Sequence, residues 1–163
     1  MVMDWLKNLT GSANTVQGSR RNERIDAEVW MIAERYSRPP HSGLLYDEVG
    51  REWLVIPNYA IPNRFQERRC DLLIRFPEDY PATPPLGFYL SKRLHLLDGG
   101  QDPHLTGAAY YGAADLSAHG WYWYCVRIDM SGPGRWRPGA DPRQSDNLWT
   151  FLTMVRESLS NSS

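Results

Sequence analysis

The sequence has little of what marks a disulfide-stapled, metal-binding, membrane-spanning or nucleic-acid-binding protein. Only two of its 163 residues are cysteines, Cys70 and Cys125, too few for a disulfide scaffold or a clustered zinc site. No apolar run is long enough to cross a bilayer, and the first residues do not read as a signal peptide. With 18 basic and 19 acidic residues the net charge is -1, so nucleic acid is not the expected partner. We expect a reduced, cytoplasmic protein without a metal or other cofactor.

The chain does have enough apolar residues for one core. Hydrophobic residues make up 42% of it, and its length favours a single domain. The stretch before residue 21 is rich in Gly, Ser, Asn and Thr, which is typical of a linker. We therefore predict a flexible arm over 1–20, one domain over 21–160, and a loose tail over 161–163.

Hydrophobic periodicity predicts two helices separated by strands. Asn22 is expected to cap a helix that ends near Tyr36, and Ser145 or Asp146 to cap a last helix running to Leu159. Between them, alternating residues and turns predict four strands, over 44–49, from 53 to between 56 and 61, over 70–76 and over 86–90. This order predicts an α+β fold in which helices pack against a four-stranded antiparallel meander sheet.

A long irregular stretch over 92–120 precedes a fifth extended segment, 121–128, which carries Cys125. A stretch of that length without periodicity is usually functional or poorly ordered. If the segment after it is a regular strand, Trp123 and Cys125 point to one side, and Tyr124 and Val126 to the other.

Two groups of residues, taken in order, resemble a known family. Phe76-Pro77, Tyr80-Pro81 and Pro84-Pro85 follow the third strand, and Cys125-Val126 and Asp129 are followed by Trp136-Arg137-Pro138. With a helix at each end, this pattern resembles the ubiquitin-conjugating (UBC-like) enzymes over 22–160. The resemblance implies a UBC-like fold with an irregular active-site segment. It also implies that Cys125 carries a ubiquitin-like protein as a thioester.

One departure points to a particular branch of that family. The usual His-Pro-Asn triplet shortly before the cysteine is missing, since residues 111–117 read Tyr-Gly-Ala-Ala-Asp-Leu-Ser. Divergent bacterial members also lack it, and they tend to be encoded beside an activating enzyme, a ubiquitin-like protein and a metal-dependent deubiquitinating peptidase, often in phage-defence operons. The chain looks like one of these. The implied partners are a ubiquitin-like protein, an activating (ThiF-like) enzyme and a target lysine, without nucleic acid or membrane.

Candidate catalytic residues follow from the chemistry of a thioester. Its carrier must be a thiol, and a free cysteine with a pKa of about 8.5 is partly thiolate at neutral pH. His119, the nearest histidine in sequence to Cys125, is a candidate for proton transfer or oxyanion stabilisation. Asp129 is a candidate for deprotonating the incoming lysine. Their simpler readings are a solvated loop histidine and a turn carboxylate. Cys70 shares its strand face with Leu72, which favours a core thiol.

Partner-binding residues are implied by the resemblance alone. Family members contact activating enzymes and ligases through the start of the first helix, the proline segment and the Trp-x-Pro loop. The resemblance therefore implies that partners are bound by Arg21, Arg24, Pro81, Pro84, Trp136 and Pro138. The simpler reading is a charged helix end, stiffened turns and packing residues.

Three functions remain open at this point. The retained Cys125 and Trp-x-Pro loop favour a conjugating transferase. The missing asparagine favours a non-catalytic variant that only binds a ubiquitin-like protein or another partner. A cysteine hydrolase is the weakest alternative, because it needs a histidine against the thiol and none follows Cys125 in the sequence.

Overall fold

Two helices and one antiparallel sheet make up the described part of the chain. The structure, a computed structural model, describes residues 16–39, 43–105 and 112–161. None of the helices in these ranges is both long and apolar enough to cross a membrane. The predicted α+β class is confirmed. In chain order the elements are α1 (Val16–Tyr36), β1 (Leu45–Tyr46), β2 (Trp53–Ala60), β3 (Arg69–Arg75), β4 (Gly87–Leu90), a 3₁₀ turn (Ser117–His119), β5 (Tyr122–Cys125) and α2 (Leu148–Ser160).

The sheet is a meander of five strands rather than four. Its spatial order is β1-β2-β3-β4-β5, and each strand runs antiparallel to its neighbour. The segment that carries Cys125 joins the sheet as its last strand, with Cys125 opposite Gly87. The strand count was wrong because alternation identifies an extended segment but does not say whether it pairs with another.

Gly87 makes the pairing of β5 with β4 sterically feasible. A Cβ atom added at this glycine would lie 2.3 Å from the backbone oxygen of Tyr124 and 2.5 Å from the ring of Trp123. Any side chain there would push the cysteine strand away. A glycine within a strand often marks such a close approach.

The first helix begins at Val16, before the predicted start at Asn22. Gly18 and Ser19 are poor helix formers and suggested a linker, yet extending an existing helix costs little compared with starting one. Residues 16–20 of the predicted arm are therefore helical. Residues 1–15 of that arm and 162–163 of the predicted tail lie outside the described residues, and the domain bounds stay a prediction.

The last helix is capped by Asn147 rather than by Ser145 or Asp146. The Asn147 side-chain oxygen accepts the Thr150 N–H at 3.0 Å, and the Thr150 hydroxyl oxygen accepts the Asn147 N–H at 3.2 Å. This reciprocal pair is a capping box. Ser, Asp and Asn are all good caps, so composition alone could not choose among three in a row.

Each face of the sheet has its own cluster of buried residues. The helix side packs α1 and α2 onto the sheet and includes Tyr124. The opposite side includes Trp123, so the alternation predicted for the cysteine strand is observed. Part of the irregular stretch covers this outer side, where Ala114 accepts a hydrogen bond from the Tyr89 hydroxyl at 2.7 Å. The outer cluster comprises Val55, Leu73, Tyr89, Leu116, Trp121 and Trp123, with Trp53, Ala113 and Ala114 packed against it.

The carboxylate of Glu28 joins three separate segments. Its side chain is 1% exposed. Oε1 accepts the Tyr80 hydroxyl at 2.7 Å and the Leu148 N–H at 2.5 Å, and Oε2 accepts Nε of Arg24 at 2.6 Å. The Leu148 N–H belongs to the first turn of α2, where a negative charge is favourable. This single carboxylate therefore ties α1 to the proline segment and to α2.

We expect Glu28→Ala to lower the free energy of unfolding by about 3–5 kcal/mol, because it leaves the Arg24 guanidinium without its paired charge and two buried donors without their acceptor. Glu34→Ala is the matched control, since Glu34 forms an i,i+4 pair with Arg38 on the same helix but is 80% exposed. Its loss should be about 0.5 kcal/mol or less. Urea unfolding measures both, and equal losses would refute the role given to Glu28.

Candidate functional site

The partly exposed thiol of Cys125 contacts a histidine. Cys125 is the last residue of β5, at the edge of the sheet. Its backbone N–H donates to the His104 carbonyl oxygen at 3.2 Å, and its Sγ lies 3.4 Å from His104 Nδ1. In one protonation state the thiol donates to the imidazole; in the other the imidazolium donates to the thiolate. A neighbouring imidazole is the usual means of activating a cysteine nucleophile.

The turn that carries His104 is held by a buried carboxylate. Oδ1 of Asp102 accepts the His104 N–H at 2.7 Å, and Asp102 is 2% exposed. Its other oxygen pairs with the Arg64 guanidinium. Arg64 Nε donates to the Leu159 carbonyl oxygen at 2.7 Å. A continuous chain of contacts therefore runs from the end of α2 to the thiol.

His104 was not among the residues predicted from the sequence. It precedes Cys125 by 21 residues, within the stretch that has no periodicity, so neither spacing nor motif linked the two. One local signal was present: in Asp102-Pro103-His104 an aspartate precedes the turn, and such side chains often accept the N–H two residues on. That pattern predicts a turn but not what it faces. The objection to a hydrolase also fails, since the order of Cys and His in a chain is not fixed by the chemistry.

The two other predicted catalytic residues lie on exposed turns. His119 ends the 3₁₀ turn before β5. Asp129 Oδ1 accepts the N–H of Gly132 at 2.8 Å and of Ser131 at 2.9 Å, and these bonds lower the pKa of Asp129. Asp129 is thus an ionised turn residue, and the residue seen against the thiol is His104. Catalytic roles for His119 and Asp129 stay predictions.

The arginines predicted to bind partners make contacts within the chain. Arg21 donates from Nε to the Pro77 carbonyl at 3.0 Å and from a terminal nitrogen to the Phe76 carbonyl at 3.2 Å. Arg24 donates to the carbonyls of Gly139 and Asp146 in addition to its pair with Glu28. These guanidinium groups anchor loops to α1. A further role in binding a partner stays a prediction.

The proline segment and the Trp-x-Pro loop, recognised separately in the sequence, meet in the structure. Trp136 is 4% exposed, and its Nε1–H donates to the Pro81 carbonyl at 2.7 Å across 55 residues of sequence. Pro84 is buried, whereas Pro81 and Pro138 are partly exposed. Partner binding by these four residues also stays a prediction, and the two prolines that are partly exposed are the more accessible.

The second cysteine lies in the core, as predicted. Cys70 is 5% exposed, and burial raises the pKa of its thiol to about 12. At neutral pH it is therefore protonated and unreactive. Within the described ranges, no three His, Cys, Asp or Glu side chains are grouped so as to hold a metal ion.

Two helices on a five-stranded meander, with a cysteine at the sheet edge and proline and tryptophan loops in contact, define a protein of the ubiquitin-conjugating (E2, or UBC-like) class. The family model described as prokaryotic E2 family E matches residues 40–162, and the chain belongs to this family. The resemblance noted in the sequence is thus confirmed. No curated protein and no solved structure matches the chain significantly.

We expect iodoacetamide to modify Cys125 and not Cys70 in the folded protein at pH 7–8. The pKa of the Cys70 thiol is raised well above its free value of about 8.5, so its thiolate fraction becomes appreciable only as the pH approaches 12. Mass spectrometry of peptides gives the site of modification.

Cys125→Ser is the control for this measurement, because it should label only after denaturation. Fast labelling of Cys70 in the native protein would contradict the assignment of the two thiols.

Proposed function

We propose that this chain accepts the carboxyl terminus of a ubiquitin-like protein as a thioester on Cys125 and passes it to an amine on a target protein. Membership of the prokaryotic E2 family supports ubiquitin-like conjugation in general terms. The contact between Cys125 Sγ and His104 Nδ1 is the observation that supports Cys125 as the carrier. The donor is a ThiF-like activating enzyme that holds the same carboxyl terminus as a thioester.

The first step exchanges one thioester for another. The Cys125 thiolate attacks the carbonyl carbon, a new C–S bond forms, and the bond to the activating enzyme's sulfur breaks. His104 takes the proton of the Cys125 thiol and supplies a proton to the leaving sulfur. The thiolate, not the thiol, is the nucleophile, so an imidazole within hydrogen-bonding distance favours this step.

The second step forms an amide. The target amine attacks the carbonyl carbon, a C–N bond forms, and the C–Sγ bond breaks. The amine loses a proton, and Sγ regains one through His104. His104 thus serves as general base and then general acid, a role that histidine side chains commonly have in catalysis.

Backbone contacts on both sides fix the cysteine for these steps. β5 pairs with β4 along one side, and the Cys125 N–H is bonded to the His104 carbonyl on the other. A nucleophile held in this way loses little entropy on reaching its reactive position.

We expect a covalent adduct when the protein is mixed with its activating enzyme, ATP and the ubiquitin-like protein. Thiol reductant should cleave the adduct, and Cys125→Ala should abolish it. Cys125→Lys should give an adduct that resists reductant, because an amide replaces the thioester. Non-reducing gel electrophoresis measures all three.

Cys70→Ala is the matched control, since it removes the other thiol and should leave the adduct intact. An adduct that survives Cys125→Ala but disappears in Cys70→Ala would refute the assignment. Binding of the ubiquitin-like protein without any adduct would instead favour the non-catalytic variant.

A cysteine hydrolase is the second candidate, favoured by the same contact because a Cys–His pair is also the minimum such enzymes need. It predicts that a fluorogenic amide at the carboxyl terminus of the ubiquitin-like protein is cleaved without ATP or an activating enzyme. Cleavage that depends on Cys125, with no adduct in the loading assay, would favour hydrolysis.

We place this activity in the cytoplasm of a bacterium, within a conjugation or phage-defence operon. The resemblance to divergent bacterial family members, which also lack the His-Pro-Asn triplet, supports this context. This context is tested by deleting the gene while its neighbouring genes stay intact, and counting phage plaques.

A further inference from the structure

Asp102 is a buried carboxylate whose two oxygens bind different partners. Oδ1 accepts the N–H of His104 and Oδ2 pairs with Arg64. Burying a carboxylate is costly unless its charge is compensated and its oxygens are hydrogen-bonded. Asp102 therefore stays buried only while Arg64 and the His104 turn remain in place, and the three groups form one unit.

Arg64 connects this unit to the rest of the fold. It donates to the Leu159 carbonyl at the carboxyl end of α2, where helix carbonyls have no partner within the helix. Its guanidinium also lies over the Phe65 ring, 4.5 Å from the centroid. The planar fork of an arginine suits simultaneous contacts of this kind.

The His104 backbone is thereby held at both of its polar groups. Its N–H is bound by Asp102 and its carbonyl accepts the N–H of Cys125. With the backbone fixed, only the side-chain torsions decide where Nδ1 lies. The carboxylate bond shown by the structure goes to the backbone of His104, whereas in a Ser-His-Asp triad the carboxylate binds the ring and selects its tautomer.

We infer that Asp102 and Arg64 are positioning residues that hold His104 against the Cys125 thiol through the backbone. This rests on the proposed function, because it assumes that His104 moves the proton of Cys125. Asp102 and Arg64 carry opposite charges and pair with one another. The effect on the thiol passes through the position of His104.

The test is a double-mutant cycle read by the rate at which iodoacetamide alkylates Cys125 at different pH values, in a Cys70→Ala background. His104→Gln should slow alkylation at pH 7 about tenfold, because the thiolate is the reactive form and the imidazole that favours it is gone. Asp102→Ala should also slow alkylation of Cys125, but by a smaller factor. In the His104→Gln background, Asp102→Ala should have no further effect, because its only route to the thiol has been removed.

Milder variants guard against misfolding. Asp102→Asn keeps an oxygen for the His104 N–H, and Arg64→Lys keeps the charge, so each should retain more reactivity than the corresponding alanine variant. Asp26→Ala is the control, since Asp26 pairs with Arg51 at 3.0 Å elsewhere in the fold. It should leave the alkylation profile unchanged.

Two results would overturn the inference. One is that Asp102→Ala slows alkylation of Cys125 by as large a factor in the His104→Gln background as in the protein that retains His104. The other is an unchanged alkylation profile in folded Asp102→Ala. Alkylation requires neither activating enzyme nor ubiquitin-like protein, so failure of the inference is measured separately from failure of the proposed function. Failure of the proposed function would be seen as a missing adduct in the unaltered protein.

Discussion

The fold depends on the burial of one carboxylate, that of Glu28, between three segments that are distant in sequence. It accepts hydrogen bonds from the Tyr80 hydroxyl, from the Leu148 N–H in the first turn of α2 and from the Arg24 guanidinium. Arg24 in turn binds the carbonyls of the loop that follows Trp136, and Trp136 binds Pro81. A buried charge tolerates few arrangements of its partners. The loops that follow the cysteine are therefore fixed relative to α1.

Asp102 has the same role on the other side of Cys125. Each carboxylate is nearly inaccessible, pairs with an arginine and also accepts a backbone N–H. Glu28 orders the loop after the cysteine, and Asp102 orders the turn before it. Between them β5 is held by its pairing with β4, which the absence of a side chain at Gly87 permits. The Cys125 thiol thus lies on a paired strand between two anchored loops.

The sequence predictions were correct where the pattern within one element allowed a single arrangement. Alternation correctly separated Trp123 from Tyr124, and the apolar neighbours of Cys70 correctly identified it as a core thiol. The helix start and the cap of α2 were wrong because several local arrangements were equally acceptable. His104 was missed because its contact with Cys125 joins a segment without periodicity to a strand 21 residues away.

Periodicity and short motifs were enough to predict the fold class, the family and the core position of Cys70, because they reflect burial along one element at a time. The structure was needed to show that β5 joins the sheet, that Arg21 and Arg24 bind inside the molecule, and that His104 faces the thiol. Each of these depends on two segments meeting across a loop. A pattern within one segment contains no information about the partner that folding brings to it.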